Sequence, residues 1–230
     1  MLIEQLDNPV WAALTSGNVN LAIGNHIARY YAPGVSAFAA VAENNFTHFK
    51  ALMDLKPWSE TIAVFTTDKN LNAHPWTIVN RIDGYQMMYE GATPEEQRQI
   101  TITKLSDEDV PAMLELTKLS PPGPFMEKTI RFGGYEGIFE DKQLVAMAGH
   151  RFHCGPYVEI SAVCTHPVHT GKGYARALIN SHIRQLRAAG KIPYLHVRAD
   201  NTRAINLYQA LGFVVRTEMI IYVLTGSDII

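Results

Sequence analysis

The 230-residue chain is predicted to be an α+β protein with a mixed central sheet flanked by helices. Three observations predict it. From residue 100 onward, short β-branched or aromatic runs alternate with amphipathic stretches of helical period. Tyr135–Glu140 and Gln143–Phe152 meet across Asp141-Lys142, and Tyr157–Thr165 continues the meander, so much of the sheet is antiparallel. A glycine-bearing turn, Thr170–Ala175, then leads from a strand straight into a helix.

In chain order, Pro9–Leu14 and Asn45–Leu55 have helical spacing, with Phe46, Phe49 and Met53 on one face. Tyr30–Val35 reads as a loop. Thr61–Thr67, Trp76–Ile82 and Tyr85–Tyr89 read as strands, the last two joined by a hairpin turn at Asp83-Gly84. Ala92–Gln97 is polar and turn-rich, which places a boundary between an N-terminal α+β region, 1–98, and a second domain, 99–230. Ile100–Lys104 is a strand and Ser106–Leu119 a helix, with Ser106 as cap and three acids in its first turn. Ser120–Pro124 breaks the chain before a short helix over Phe125–Phe132.

Val158–Thr165 is an apolar, β-branched strand that ends at Pro167, which lacks an amide for the ladder. Tyr174–Ala189 is an amphipathic helix closed by Gly190; Leu178, Ile179, Ile183 and Leu186 form its buried face. Ile192–Val197 is the next strand. Asn201 caps a final helix with Ala204, Leu207, Tyr208 and Leu211 at i, i+3, i+4 and i+7, Gly212 ends it, and Glu218–Leu224 is the last strand.

Composition is that of an ordinary globular protein, 47% hydrophobic and 18% charged. No apolar run reaches membrane-spanning length, and MLIEQLDNPVW lacks the form of a signal peptide. With only Cys154 and Cys164 and no disulfide framework, a cytoplasmic location is expected. A net charge of −2 argues against general nucleic-acid binding. Between His166 and Arg203, however, seven Lys/Arg face a single acid, Asp200. Lys172, Arg176 and Arg203 flank the glycine turn, where the free amides and dipole of a starting helix make an anion site suited to a pyrophosphate.

Thr170-Gly171-Lys172-Gly173-Tyr174-Ala175 resembles the pyrophosphate loop of the GNAT N-acetyltransferases, Gln/Arg-x-x-Gly-x-Gly/Ala, except that Thr170 replaces the long polar side chain. Asn201-x-x-Ala204-x-x-Leu207-Tyr208-x-x-Leu211-Gly212-Phe213 resembles the family's second signature at the expected distance. The likeness runs from about Thr101 to Leu224, and the C-terminal half is also similar to the acyltransferase domain of glycine N-acyltransferases. The resemblance implies a mostly antiparallel GNAT-like sheet, with residues 1–98 as a degenerate copy of that fold in some relatives. It also implies transfer of an acyl group, acetyl from acetyl-CoA, to a primary amine.

On that resemblance, the donor binds Val163, Cys164 and Thr165 of the strand, Thr170, Gly171, Lys172, Gly173, Tyr174, Ala175 and Arg176 of the loop and helix start, and Asn201. Tyr208 stands where the family places a tyrosine near the thioester sulfur, as proton donor to the leaving thiolate; its alternative is core packing. Glu159 and His196 compete for general base, alongside a water relay or no dedicated base. Pro122–Phe132 is the acceptor-side wall, and an N-terminal half rich in aromatics (Trp11, Tyr30, Tyr31, Phe38, Phe46, Phe49, Trp58, Trp76) narrows it to fit a small molecule, amino acid or peptide terminus.

Four rival readings stand beside this one. A CoA-binding sensor or scaffold without catalysis, or an acyltransferase for protein amines, would carry the same signatures. A nucleotide P-loop is disfavoured, since Gly-Lys-Gly lacks the following Ser/Thr. His150, His153, Cys154, Cys164, His166 and His169 suggest zinc, but no Cys-x-x-Cys occurs and two of the histidines sit in the phosphate loop, so no metal is expected. The sequence does not fix oligomeric state, and a homodimer stays open.

Overall fold

The computed structural model describes residues 3–55, 61–95 and 100–226. Its first helix is α1 (Pro9–Leu14), whose cap Asn8 accepts from the Trp11 amide. Strands β1 (Ala22–Gly24), β2 (Ala28–Tyr31) and β3 (Ala39–Val41) form a small antiparallel sheet. Helix α2 (Phe46–Asp54) follows, then β4 (Ile62–Thr66) and β5 (Thr77–Tyr89). The second half runs β6 (Thr103–Lys104), α3 (Val110–Leu119), β7 (Glu136–Glu140), β8 (Gln143–Cys154), β9 (Tyr157–Thr165), α4 (Tyr174–Ala188), β10 (Ile192–Arg198), α5 (Thr202–Leu211) and β11 (Phe213–Thr225).

Eight of these strands make one sheet in the order β4-β11-β5-β10-β9-β8-β7-β6. Every neighbouring pair is antiparallel except β9 and β10. The expected α+β architecture, a mostly antiparallel sheet flanked by helices, is therefore present. The sheet does not divide near residue 98, though. β5 comes from the N-terminal region and lies between β10 and β11 of the C-terminal one, so 1–98 and 99–230 share a sheet. Part of the expected boundary, Glu96-Gln97, lies outside the described residues, as does Trp58.

Alternation along the strands sends neighbours to opposite faces. One face carries Met87, Val158, Ile160 and Leu195 against Ile179, Ile183 and Leu186 of α4. Burying each such side chain is worth about 1.5–3 kcal/mol, an upper figure because unfolded chains already hide some surface. The other face carries Met88, Phe152 and Tyr194 against Leu6, Val10, Leu14, Tyr31 and Phe38 of the N-terminal segment. Phe49 and Trp76 belong to a further core around α2, where Trp76 Nε1 donates to the Phe49 carbonyl.

Several local expectations change. Asp83-Gly84 is not a hairpin turn: β5 runs through it, and a Cβ on Gly84 would lie 2.7 Å from the Val197 carbonyl oxygen of β10. The glycine there permits close strand approach. Tyr30 and Tyr31 end β2 rather than forming a loop. The first strand of the second half shortens to Thr103–Lys104, and the helix expected over Phe125–Phe132 reduces to a single turn, Thr129–Phe132, because the Thr129 hydroxyl instead accepts from the Met126 amide. The last strand starts at Phe213, well before Glu218, with a bulge between Val215 and Thr217 that interrupts its alternation. Among the described residues no helix is long and apolar enough to cross a membrane.

Candidate active site

The parallel strands β9 and β10 pair only from Ile192↔Tyr157 to Tyr194↔Glu159. Beyond that they part, and the gap opens at their carboxyl ends, where α4 and α5 begin. Gly171 and Gly173 hold φ of 83° and 84°, a left-handed conformation costly for other residues. A Cβ at either would meet nothing within 4 Å, so conformation and not space calls for glycine. The first backbone bond of α4 runs from the Ala177 amide to the Gly173 carbonyl. The amides of Tyr174, Ala175 and Arg176 precede any carbonyl their own helix can offer, and they lie at the positive end of its dipole.

The resulting cleft has a volume of about 370 Å³. Val163, Cys164 and Thr165 of β9 form one wall. Thr170, Gly171, Gly173, Tyr174, Ala175 and Arg176 line the loop end, and Asn201 and Tyr208 the opposite side. Of the residues expected to bind a donor, Lys172 alone is not in the lining: its ammonium lies 3.0 Å from Glu140 Oε2, within a rim cluster that includes His169. Arg176 and Arg203 do line the cleft, and neither forms an ion pair among the described residues. Sequence reasoning missed Ser120, brought in from the end of α3 by tertiary structure without a local signal; Ala204 and Leu207, read only as core positions, line it as well.

Asn201 does cap α5, its Oδ1 accepting from the Ala204 amide at 3.1 Å, which leaves its amide nitrogen for the cleft. Tyr208 packs edge-on to Phe213 at 6.0 Å between ring centroids. Burial pushes its phenol up to about 12, so it stays protonated at neutral pH, and its hydroxyl has no partner among the described residues. Its phenol proton is therefore uncommitted.

Glu159 and His196 come together, but beneath the sheet. His196 Nδ1 donates to Glu159 Oε1 at 2.8 Å, while Arg151 donates Nε to Oε2 at 2.9 Å and Nη2 to Oε1. Gln86 Nε2 donates to the Leu6 carbonyl and lies 3.0 Å from His196 Nε2. Arg216 donates to Gln86 Oε1 and to Asp7 Oδ1. These hydrogen bonds fix the imidazole with its proton on Nδ1. Burial alone would raise the Glu159 carboxyl, but Arg151 and then His196 outweigh it and hold it at about 2. Burial lowers His196, against the pull of Glu159. Both candidate bases are thus fully engaged, in a polar row running across β11, β5, β10, β9 and β8.

On the face of the polar row, a smaller cavity of about 10 Å³ abuts β9 at Ser161 and Ala162. Ala162 takes φ of 53° at a bulge, where the pairing with β8 gains one residue between Ser161 and Cys164. Pro122, Pro124, Phe125, Thr129 and Phe132 line this cavity, in the segment expected to form an acceptor wall, together with Phe38 from the N-terminal region. Cys154 and Cys164 are both buried, their thiols pushed up to about 12 by that burial. Among the described residues no group of three His, Cys, Asp or Glu is arranged to hold a metal.

A family model described as FR47-like protein matches residues 135–221. A solved GNAT-family structure from Novosphingobium aromaticivorans DSM 12444 superposes with a TM-score of 0.89 at 32% identity, covering 97% of this chain and 99% of that one. A GCN5-related N-acetyltransferase from Kribbella flavida shares the fold, at a TM-score of 0.64 and 16% identity over 96% and 97% of the two chains. Among curated relatives, mycothiol acetyltransferase of Nocardiopsis dassonvillei is 31% identical over 135 residues, 58% of this chain and 38% of that protein. L-amino acid N-acyltransferase MnaT of Escherichia coli is 37% identical over 59 residues, 25% of this chain and 34% of that protein. The matches thus span little more than a third of either curated relative. The near-complete superposition at 32% identity establishes that this chain belongs to the GNAT family of acetyltransferases.

Proposed function

We propose that the protein is an acyl-CoA-dependent N-acyltransferase that moves an acetyl group to the primary amine of a small molecule. The observation that carries this reading is the cleft itself. One end offers unpartnered helix amides with Arg176 and Arg203, a fit for phosphates, and the other offers the free hydroxyl of Tyr208. A bound acyl-CoA supplies an activated thioester. Val163–Thr165 would hold the pantetheine arm and supply a backbone donor for the developing oxyanion, since β9 has no pairing with β10 beyond Glu159. Tyr208 gives its proton to the departing thiolate as the carbon–sulfur bond breaks. Glu159 is bound by Arg151 and His196, and His196 by Glu159 and Gln86, so we assign the two to positioning Arg151, and the amine's proton to water.

A small acceptor is favoured because the N-terminal region closes the acceptor side. The Lys128 amide donates to the Gly34 carbonyl and the Thr129 hydroxyl to the Val35 carbonyl, which brings Phe38 over the cavity. The test is release of free CoA with acetyl-CoA and a panel of amines, amino acids and peptides. Turnover with a lysine-rich protein and with no small amine would overturn the acceptor class. CoA binding without any turnover would make the protein a sensor or scaffold.

A further inference from the structure

The small cavity beside Ser161 and Ala162 has apolar walls, among them Phe38, Phe125 and Phe132. Its polar groups are few. The Thr129 hydroxyl is spent, donating to Val35 and accepting from Met126. The hydroxyls of Tyr135 and Ser161 and the Arg151 nitrogen Nη1 make no hydrogen bond among the described residues. Arg151 and Phe152 both oppose Glu159 across a bulge in β8. That bulge holds the guanidinium 4.7–5.2 Å from the ring centroids of Phe152, Phe38 and Phe65. Its Nε and Nη2 edge is taken by Glu159, and Nη1 is left over. Tyr135 is fixed as well: its ring lies against Gly149, where a Cβ would come within 2.5 Å, and edge-on to Phe125.

The unused groups are all donors: two N–H of Nη1, a phenol that burial keeps protonated, and an alcohol. An ammonium finds a cation there, while a carboxylate finds up to four hydrogen bonds, two of them charge-assisted. Ala162 is chain neighbour to Val163 of the donor cleft, so the two cavities adjoin the same stretch of β9, where that strand has parted from β10. We propose that Arg151, Tyr135 and Ser161 form a carboxylate subsite, and that the acceptor is a small aminocarboxylate with its carboxylate at Arg151 and its amine toward Ala162. The acyl-transfer reading is needed only to place the amine. A cavity of this size holds roughly one water, so the Pro122–Phe125 wall moves outward to admit the rest of the molecule.

The subsite is tested by binding, independently of catalysis. N-acetyl-L-leucine and its methyl ester, which differ in the charge, are titrated calorimetrically into the full chain saturated with CoA. The acid should bind at least ~10-fold more tightly than the ester. Tyr135→Phe combined with Ser161→Ala, which leaves the Arg151–Glu159 pair intact, should reduce that preference severalfold. Arg151→Lys should erase it too where the melt shows a folded protein. Equal binding of acid and ester overturns the subsite. Transfer assays then separate the two proposals: leucine should exceed leucine methyl ester by ~10² or more in kcat/KM, expressed in KM. Acid-selective binding without transfer keeps the subsite and removes the acyltransferase reading. Equal transfer to acid and ester does the reverse. A preference for succinyl-CoA over acetyl-CoA with a neutral amine, without preference for leucine over its ester, would put the carboxylate on the acyl chain and overturn the acceptor assignment.

Discussion

His196 Nδ1 lies 2.8 Å from Glu159 Oε1, and neither side chain has appreciable access to water. With Arg151 on the far side, the carboxylate sits in the middle of a buried polar row, and on the function proposed above it holds that row together. Glu159→Gln should therefore act mainly on stability. It leaves the Arg151 guanidinium buried without its counter-charge, a loss of about 3–5 kcal/mol measurable by urea unfolding. The pH profile of kcat/KM should rise toward the acceptor amine's own pKa without a limb near pH 6.5. Such a limb, removed by His196→Gln, would reinstate the imidazole as base.

Acid sensitivity should begin in the histidine range. His150, His153 and His182 cluster between β8 and α4, with ring centroids 5.1–5.5 Å apart. Nε2 of each is buried and has no hydrogen-bond partner among the described residues, and Glu136 Oε2 stays 3.8 Å from His182 Nε2. Burial lowers all three, His150 to about 3. The unfolded chain takes up protons near pH 6.5 and the folded one does not, so stability falls as pH drops from about 6.5 toward 3. One histidine kept neutral costs about 2 kcal/mol at pH 5. Melting temperature against pH should slope accordingly, and His150→Asn should flatten part of the slope. A melt constant between pH 7 and 5 would contradict this.

Tyr208→Phe should keep fold and CoA affinity while lowering kcat by roughly 10²-fold, the lower end for a lost general acid. Single-turnover kinetics, where chemistry is limiting, provide the measurement. An unchanged rate would leave the ring as packing against Phe213.

Gly173→Val should abolish the stabilisation that CoA gives the native protein, about 2.7 kcal/mol at a hundredfold excess over Kd. The reason is φ of 84°, which valine resists, so the loop amides turn away from the phosphates. A thermal-shift titration tests it. Retained CoA stabilisation in this variant would mean that the phosphates are held elsewhere.

What the sequence disclosed was local. The helices α4 and α5, their glycine stops and the donor loop each depend on residues a few positions apart, so periodicity and turn chemistry exposed them. Asp83-Gly84 misled because the pair is a turn signal locally, while its glycine answers to Val197 on a strand more than a hundred residues away. The polar row was invisible for the same reason: Asp7 and Arg216 are 209 positions apart. Glu159 and His196 stood out singly, but nothing in their own neighbourhoods told that Arg151 and Gln86 would occupy them. The small cavity beside Ala162 draws on four separated stretches and has no linear signature.

The position of β5 also bears on how the chain is made. Its two neighbours, β10 and β11, begin about a hundred residues later, so β5 leaves the ribosome with both edges bare and keeps them so over that length. Met87, Met88 and Tyr89 spend that interval without the partners that bury them. A nascent chain in this state offers an apolar strand to any other strand nearby. The cleft forms later still. Its far wall is α5, and β11, the strand that anchors α5 to the sheet, follows that helix in the chain.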